Sequence, residues 1–327
     1  MFELSAELQQ LSQQFPLPGD WKIIDFFEDT SDLIPNGLQM RGLVARNELH
    51  KETATAAASE AGTSPTARAY FELIERISIL EAMRSPTLSQ HFPKSSDPTN
   101  WTYAKSNGVA LYSDRKEAQR RALAELIERE RILRSWSGFI TPQRKDFFES
   151  HSIQELRDLY HVQAFAFDDS SDALSEIHVA ACFIFPKTPS APFVYGFGAA
   201  GSPQKAQQKA ADECLQRLGF LWGEEWSEEP LPFAPTPDYH QEFYARPEGL
   251  ARIRNWLGYG HQQFATAGIP DSRSGHVNYI DITPDSLRGL LYVMKATSEG
   301  RETLAFGKRA PDCNPTLPED LWIHPLL

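Results

Sequence analysis

The chain has 327 residues, 41% hydrophobic and 23% charged, which is enough apolar material for one large domain or two ordinary ones. Its net charge of −12 excludes a general nucleic-acid binder, because affinity for a phosphate backbone comes from basic surface. No apolar run approaches the roughly 20 residues that cross a bilayer, and the first residues lack the basic start and apolar core of a signal peptide. Cys182, Cys214 and Cys313 lie far apart with no CxxC pair, which points to a reducing cytoplasm and away from a zinc site.

Residues 3 to 14 read as a short helix stopped by Pro16 and the Pro18-Gly19 turn, and Trp21 to Phe27 as a strand. The stretch from Lys51 to Ser64 is rich in Ala, Thr and Ser and reads as loosely held, with Ser64-Pro65 starting a long helix. Residues 85 to 100 read as a loop, Trp101 to Ala104 as a strand, and Ser106-Asn107-Gly108 as a turn. Ser113 and Asp114 cap a second long helix that runs to about Ser135. A short helix at 152 to 160 precedes two strands, His178 to Phe185 and Pro192 to Phe197. The second strand runs into a small-residue loop, Gly196 to Gly201, and a third long helix from Pro203 to Leu218. That geometry brings backbone amides to an anion, although the glycine spacing fits neither standard nucleotide fingerprint. Further on, an acidic, proline-rich connector at 224 to 238 leads to a helix at Pro247 to Leu257. Strands follow at Val277 to Ile282, Leu290 to Ala296 and Thr303 to Phe306, and the tail from Pro311 to Leu327 has little regular. Trp136 and Trp256 read as core residues.

The string ELIER occurs twice, at Glu72 to Arg76 and at Glu125 to Arg129. RAYFELIERISIL, read from Arg68, and RALAELIERERIL, read from Arg121, are identical at nine of thirteen positions, so the copies fall on equivalent helices of an internally duplicated core. At about 100° per residue, Arg68, Glu72, Glu75 and Ile79 align on one stripe with Arg76 at its edge, and Arg121, Glu125, Glu128 and Ile132 repeat the scheme with Arg129. The rest of the first helix is apolar; Glu130 and Arg131 make the far side of the second wetter. A Glu-Arg pair at i,i+4 is ordinarily a solvated ion pair worth a few tenths of a kcal/mol. Duplication and a narrow charged stripe on apolar helices point instead to a site. Two such helices face to face would gather four carboxylates and up to four guanidiniums, which suits divalent metal ions and a polyphosphate.

Three blocks resemble the YcaO proteins, ATP-dependent enzymes that activate peptide backbone amides. They are the first ELIER helix, the segment SNGVALYSDRKEAQRRALAELIER, and YGFGAAGSPQKAQQKAADECLQR with its ExxQ element from Glu213 to Gln216. PDYHQEFYARPE, HVNYIDIT, LAFG and the terminal HPLL resemble the tail of the azoline-forming members. The chain carries Arg68 where the family usually has serine, and it ends in HPLL rather than alternating prolines.

The resemblance implies an α+β fold of internally duplicated mixed sheets with long helices carrying ExxER motifs. It implies a single domain over 1–327, with an ATP-binding core at about 40–225 and a C-terminal subregion at about 226–327. It implies ATP and Mg²⁺ as cofactors. Glu72, Glu75, Glu125, Glu128 and Glu213 are the expected metal ligands, and Arg68, Arg76, Asn107, Arg121, Arg129, Gln216 and Arg217 the expected nucleotide contacts. His324, Pro325 and Leu327 are expected at the reacting amide, in a tail entering the site of its own or a neighbouring subunit. The implied reaction converts Cys, Ser or Thr of a ribosomal precursor peptide to an azoline. A nucleophile adds to the backbone carbonyl, the oxygen takes a phosphoryl group from ATP, and phosphate leaves as C=N forms. Thioamide or amidine formation, or a non-catalytic scaffold, are the alternatives. The expected partners are the precursor peptide, a ThiF-like recognition protein on a separate chain and a second copy of the chain, in the cytoplasm, with no nucleic acid or membrane.

Overall fold

The hydroxyl of Ser5 accepts the amide of Leu8 and opens helix α1 (Ala6–Gln14), which buries Leu8. The computed structural model describes residues 5–34, 37–146, 151–188, 191–224, 229, 232–259, 275–308 and 319–326. Strands β1 (Trp21–Ser31), β2 (Leu38–Asn47) and β3 (Glu52–Ala61) form an antiparallel sheet in that order, followed by helix α2 (Thr66–Arg84). The segment read from sequence as loosely held is therefore strand β3. Alanine has low strand propensity, but Ala54, Ala56 and Ala58 alternate onto one face and pack beneath Leu73, Ile74 and Ile77 of α2. Small side chains let the helix approach closely, and that packing overrides propensity.

Strand β4 (Trp101–Tyr103) pairs with a late strand at Ala305–Gly307, and β5 (Val109–Tyr112) leads into helix α3 (Arg115–Trp136), capped by Asp114, whose carboxylate accepts the amide of Glu117. Then come β6 (Gln143–Lys145), the single turn α4 (His151–Gln154), β7 (Tyr160–Ala166), β8 (His178–Pro186), β9 (Val194–Ala200) and helix α5 (Pro203–Leu221). Helices α6 (Pro237–Ala245) and α7 (Pro247–Tyr259) precede β10 (Asn278–Asp281), β11 (Tyr292–Thr297) and β12 (Ala305–Gly307). The sheets run β10-β11-β5 and β6-β7-β8-β9, all antiparallel. The fold is α+β with long helices, as expected; the sheets, expected to be mixed, are small and antiparallel among the described residues.

Strands β8 and β9 are buried on both faces and read as continuous apolar runs. On one face Phe183, Tyr195 and Phe197 join Trp136, Tyr244 and Trp256 in the largest core, and both tryptophans are core residues as read from sequence. On the other face α5 lies on β9. Gly196 and Gly198 belong to this strand, so the loop expected before α5 is only Gly201 and Ser202. The glycines serve contact rather than anion binding. A Cβ on Gly196 would lie 2.4 Å from the carbonyl oxygen of Ala210, and one on Gly198 would lie 2.4 Å from that of Ala206. The helix backbone thus rests on the strand.

Glu130 and Arg131 overturn the expected wet face of α3, being 1% and 0% exposed. Arg301 grips Asp172 through two nitrogens at 2.7 and 3.0 Å, while Arg131 lies 3.4 Å from Asp172 and Glu130 lies 3.4 Å from Arg301. Burial pushes the Asp172 carboxyl up, but its hydrogen bonds and the two guanidinium charges outweigh this and hold it well below the usual carboxylate range. The network ties the back of α3 to distant loops.

Gly196→Ala should shift the urea midpoint down by the equivalent of about 2 kcal/mol or more, since the new methyl has backbone on its far side. An unchanged midpoint would mean that α5 can lift from β9 at little cost.

Candidate functional site

Among the described residues, strands β3, β5 and β9 are edge strands of their sheets, so each exposes backbone groups that no neighbouring strand receives. Side chains of α2, α3 and α5 receive them. On α2, the Glu75 carboxylate accepts the amide of Leu111 in β5 at 2.8 Å, and Arg76 donates to the carbonyl of Thr55 in β3 at 2.8 Å. On α3, Glu125 accepts the amide of Val109, two residues along the same strand, at 3.0 Å. On α5, Glu213 accepts the amide of Phe197 in β9 at 3.2 Å, and Gln216 donates to the carbonyl of Ala57 in β3 at 2.8 Å. The two ELIER helices therefore do not simply face each other; β5 lies between their glutamates, and α5 contributes a third set.

Each helix also holds an i,i+4 ion pair: Glu72 with Arg76 at 2.6 Å, Glu125 with Arg129 at 2.7 Å, and Glu213 with Arg217 at 2.5 Å. The third block, Glu213-x-x-Gln216-Arg217, is thus the ELIER scheme with glutamine in the second acidic position. Arg217 further lies over the ring of Tyr195, 4.8 Å from its centroid.

The carboxylates are half-buried and close enough to raise one another's proton affinity. Burial, then the charges of Glu125 and Glu72, pushes Glu75 up to about 8. Burial, then Glu213 and Glu125, pushes Glu128 up to about 8. Burial also raises Glu72 and Glu125, with Arg76 and Arg129 respectively opposing it. These mutual influences put the expected acidic residues of all three helices in one crevice.

Two cations at the crevice were not legible in the sequence. Lys295 of β11 is 4% exposed and donates to the carbonyl of Asn107 at 2.7 Å. Burial lowers its pKa to about 8, and the Glu125 charge works against that fall. Lys209 of α5 donates to the carbonyl of Ala199 at 2.9 Å, and burial lowers its pKa against the charge of Glu128. Lys295 comes beside Val109 only through the register of β11 on β5. Asn107 is buried and its Oδ1 has no hydrogen-bond partner among the described residues; it precedes Gly108, whose φ of +67° turns the chain back into β5. Arg217 likewise has a buried Nη1 without a partner. Arg68 and Arg121 are exposed at the rim. Arg68 acts on Glu72 by charge, whereas Arg121 pairs with Glu117 at 2.9 Å and covers the Tyr112 ring.

The tail takes a different position. Trp136 donates to the carbonyl of Leu321 at 2.6 Å, and Tyr244 donates to that of Ile323. His240 accepts the amide of Gly307 through Nε2, so its proton sits on Nδ1 and goes to the carbonyl of His324 at 2.9 Å. His324 donates from Nε2 to the carbonyl of Ala305 at 2.7 Å; burial pushes it down to about 4, so it is neutral near pH 7. Pro325 and Leu326 are buried, and Leu327 lies outside the described residues. Among the described residues, these hydrogen bonds tie the tail to α3, α6 and β12, not to the glutamates.

The family model for the YcaO cyclodehydratase, described as ATP- and Mg²⁺-binding, matches residues 84–276, more than half of the chain. The chain belongs to the YcaO family. The first ELIER helix ends where that match begins. Among solved structures, the YcaO protein of Methanopyrus kandleri bound with AMPPCP and Mg²⁺ is 16% identical, covering 89% of this chain and 87% of that one with a TM-score of 0.57. The E. coli microcin synthetase complex with pro-MccB17 bound is 14% identical over 84% of this chain and 87% of that one, with a TM-score of 0.50. At these identities the likeness is one of fold. No curated protein sequence matches the chain. No helix among the described residues is long and apolar enough to cross a membrane.

The residues fit the ATP and Mg²⁺ of this family. The donor set is carboxylate and amide oxygen, the ligand chemistry of a hard cation. No three His, Cys, Asp or Glu groups among the described residues form a ready metal cage. Mg²⁺ does not require one, since it is usually held by one or two carboxylates together with phosphates and water. Among the described residues, the Asn107 Oδ1 is a buried acceptor without a hydrogen-bond partner.

Two expectations follow. Glu75 and Glu128 bind protons more tightly in the folded chain, near 8, than at the ordinary value of 4.5. Between those values the native state holds the extra protons, so stability of the ligand-free protein falls as pH rises. Melting scans from pH 5 to 9 should show that fall, and Glu75→Gln/Glu128→Gln should flatten it; parallel curves would remove the carboxylates as its cause. Separately, deleting residues 322–327 should lower the melting temperature, because it leaves Ala305 and Tyr244 without buried partners, each costing about 1–3 kcal/mol. An unchanged melting temperature would show that the tail adds no stability.

Proposed function

We propose that this YcaO protein activates peptide backbone amides with ATP and Mg²⁺, and that its reaction is the cyclodehydration of Cys, Ser or Thr in a ribosomal precursor peptide to an azoline. The observation that carries the reading is the crevice, where acidic side chains of α2, α3 and α5 gather at the edges of β5 and β9 with arginines and lysines interleaved. Family membership supports the ATP and Mg²⁺ chemistry.

Bound Mg²⁺–ATP supplies the electrophilic phosphoryl group that turns an amide oxygen into a leaving group. The chain's own residues hold and orient. Glu75 and Glu128, made reluctant to ionise by burial and by their neighbours, give up their protons when a cation neutralises the cluster. Glu72, Glu125 and Glu213 share that task, while their paired Arg76, Arg129 and Arg217 are placed to turn toward phosphate oxygens. Lys295 fixes the Asn107 turn from below and offsets the charge of Glu125. Gln216 ties α5 to β3 and sets the position of Glu213. Recognition of the precursor peptide is assigned in part to a separate protein, and the active assembly is read as a homodimer.

The test is ATP hydrolysis with and without a candidate precursor peptide, with product mass. Turnover should rise with peptide, each new ring should remove one water from its mass, and Glu128→Gln should cut the rate by about 100-fold or more with the melting temperature retained. Wild-type turnover in that variant would return Glu128 to a purely structural role. A product that gains sulfur or an amine would move the reaction to thioamide or amidine formation.

A further inference from the structure

The three acid–arginine pairs of the crevice look alike in sequence, but their arginines are steadied in different ways. Besides its own glutamate, Arg76 holds the carbonyl of Thr55 at 2.8 Å, and Arg129 donates to the hydroxyl of Ser106 at 3.3 Å. Arg217 has an aromatic anchor instead. Its guanidinium carbon lies 4.8 Å from the centroid of the Tyr195 ring, while Nη2 donates to Glu213 at 2.5 Å.

Strand geometry explains that meeting. Along β9 the positions of Gly196 and Gly198 face α5, whereas Tyr195 and Phe197 face the aromatic core on the other side. Arg217 springs from α5, so its side chain passes round the edge of β9, where Glu213 accepts the amide of Phe197 at 3.2 Å. Helix and strand run antiparallel here, since Gly198 meets Ala206 and Gly196 meets Ala210 and Cys214. One turn along the helix, about 6 Å, therefore matches two residues back along the strand, about 7 Å. The step from Glu213 to Arg217 is the step from Phe197 to Tyr195. The ring is itself held: Tyr195 is buried, with Phe193 tilted against it at 5.5 Å and Tyr244 edge-on at 6.4 Å. It cannot leave the guanidinium without opening the core.

We propose that Tyr195 is a positioning residue for Arg217, its ring holding the guanidinium at the crevice when Glu213 turns to a metal ion. This rests on the amide-activating reading, in which Glu213 helps to bind Mg²⁺ and Arg217 meets phosphate. In the ligand-free protein the two side chains satisfy each other. A cation that draws on the carboxylate weakens the pair, and an arginine with no second anchor would then be free among its rotamers. The negative face of the tyrosine ring attracts the guanidinium whatever Glu213 does. A phosphate thus meets an arginine already oriented. Tyr195 acts through Arg217 and is not itself a catalytic residue.

The test is calorimetric binding of Mg²⁺–ATP to the full-length protein across a ring series at position 195. Tyr195→Phe removes the hydroxyl, and phenylalanine carrying one, two or three fluorines then weakens the negative face with nearly unchanged shape. Affinity should stay within about twofold in Tyr195→Phe and fall stepwise with fluorination to about tenfold, at a constant melting temperature. In an Arg217→Ala background the same series should be flat, because the ring has no cation left to hold. A flat series in the parent chain, an equal fall without Arg217, or a loss already complete in Tyr195→Phe overturns the proposal. So does a melting temperature that falls in step with affinity, which would leave the ring a packing element only. Absence of binding by the unmodified protein is a separate failure: it removes the nucleotide reading, and the proposal with it.

Discussion

Three sheets end in this molecule at strands whose outer edges have no strand to pair with among the described residues. A buried edge must still satisfy its amides and carbonyls, because an unmet backbone group costs more than a typical hydrogen bond gains. The chain solves this with long polar side chains from helices laid across the edges: Glu75 and Glu125 on β5, Glu213 on β9, Arg76 and Gln216 on β3. Acidic groups are thus held in the interior of the fold by structural need. Once there, they also form a surface of the oxygen groups that a hard cation takes as ligands.

That arrangement is costly without a ligand. Glu75 and Glu128 sit among other carboxylates and are raised to about 8, so charge in the crevice is stored as bound protons rather than as anions. Binding of a cation is then coupled to proton release, and affinity rises with pH. Elsewhere the fold spends charge differently: Asp172, clasped by Arg301 and Arg131, is fully paired and kept ionised behind α3. The two sides of one helix therefore carry opposite electrostatic designs, one closed and structural, the other incomplete and ready for a partner.

The tail belongs to the closed side. His240 uses both ring nitrogens on backbone groups and His324 its Nε2, which fixes their tautomers, and burial keeps both uncharged. Between the tail and the crevice runs a line of aromatic contacts, from Ile323 to Tyr244, on to Tyr195 and then to Arg217. The end of the chain thus packs one layer away from a guanidinium of the site. Tail position and arginine position share a physical path through the core.

The sequence alone determined what repetition and periodicity carry. The duplicated ELIER strings, the alignment of Glu72 with Glu75 and of Glu125 with Glu128, and the third acidic element at Glu213 were all legible, because helical spacing is local. So were the caps of α3, the strand pair β8–β9 and the Asn107 turn. Composition misled where packing outweighed propensity: the alanines of β3 form a strand because α2 needs small residues beneath it, and Gly196 and Gly198 lie in a strand because α5 needs its backbone there. Glu130 and Arg131 looked solvated because their partners are distant in sequence: Arg301 lies 171 residues from Glu130 and Asp172 lies 41 residues from Arg131. Lys295 entered the site only through the register of β11 on β5. Local pattern fixes which residues share a helix face. Which strand edge that face covers, and which distant charge meets it, depends on long-range pairing that no window of sequence contains.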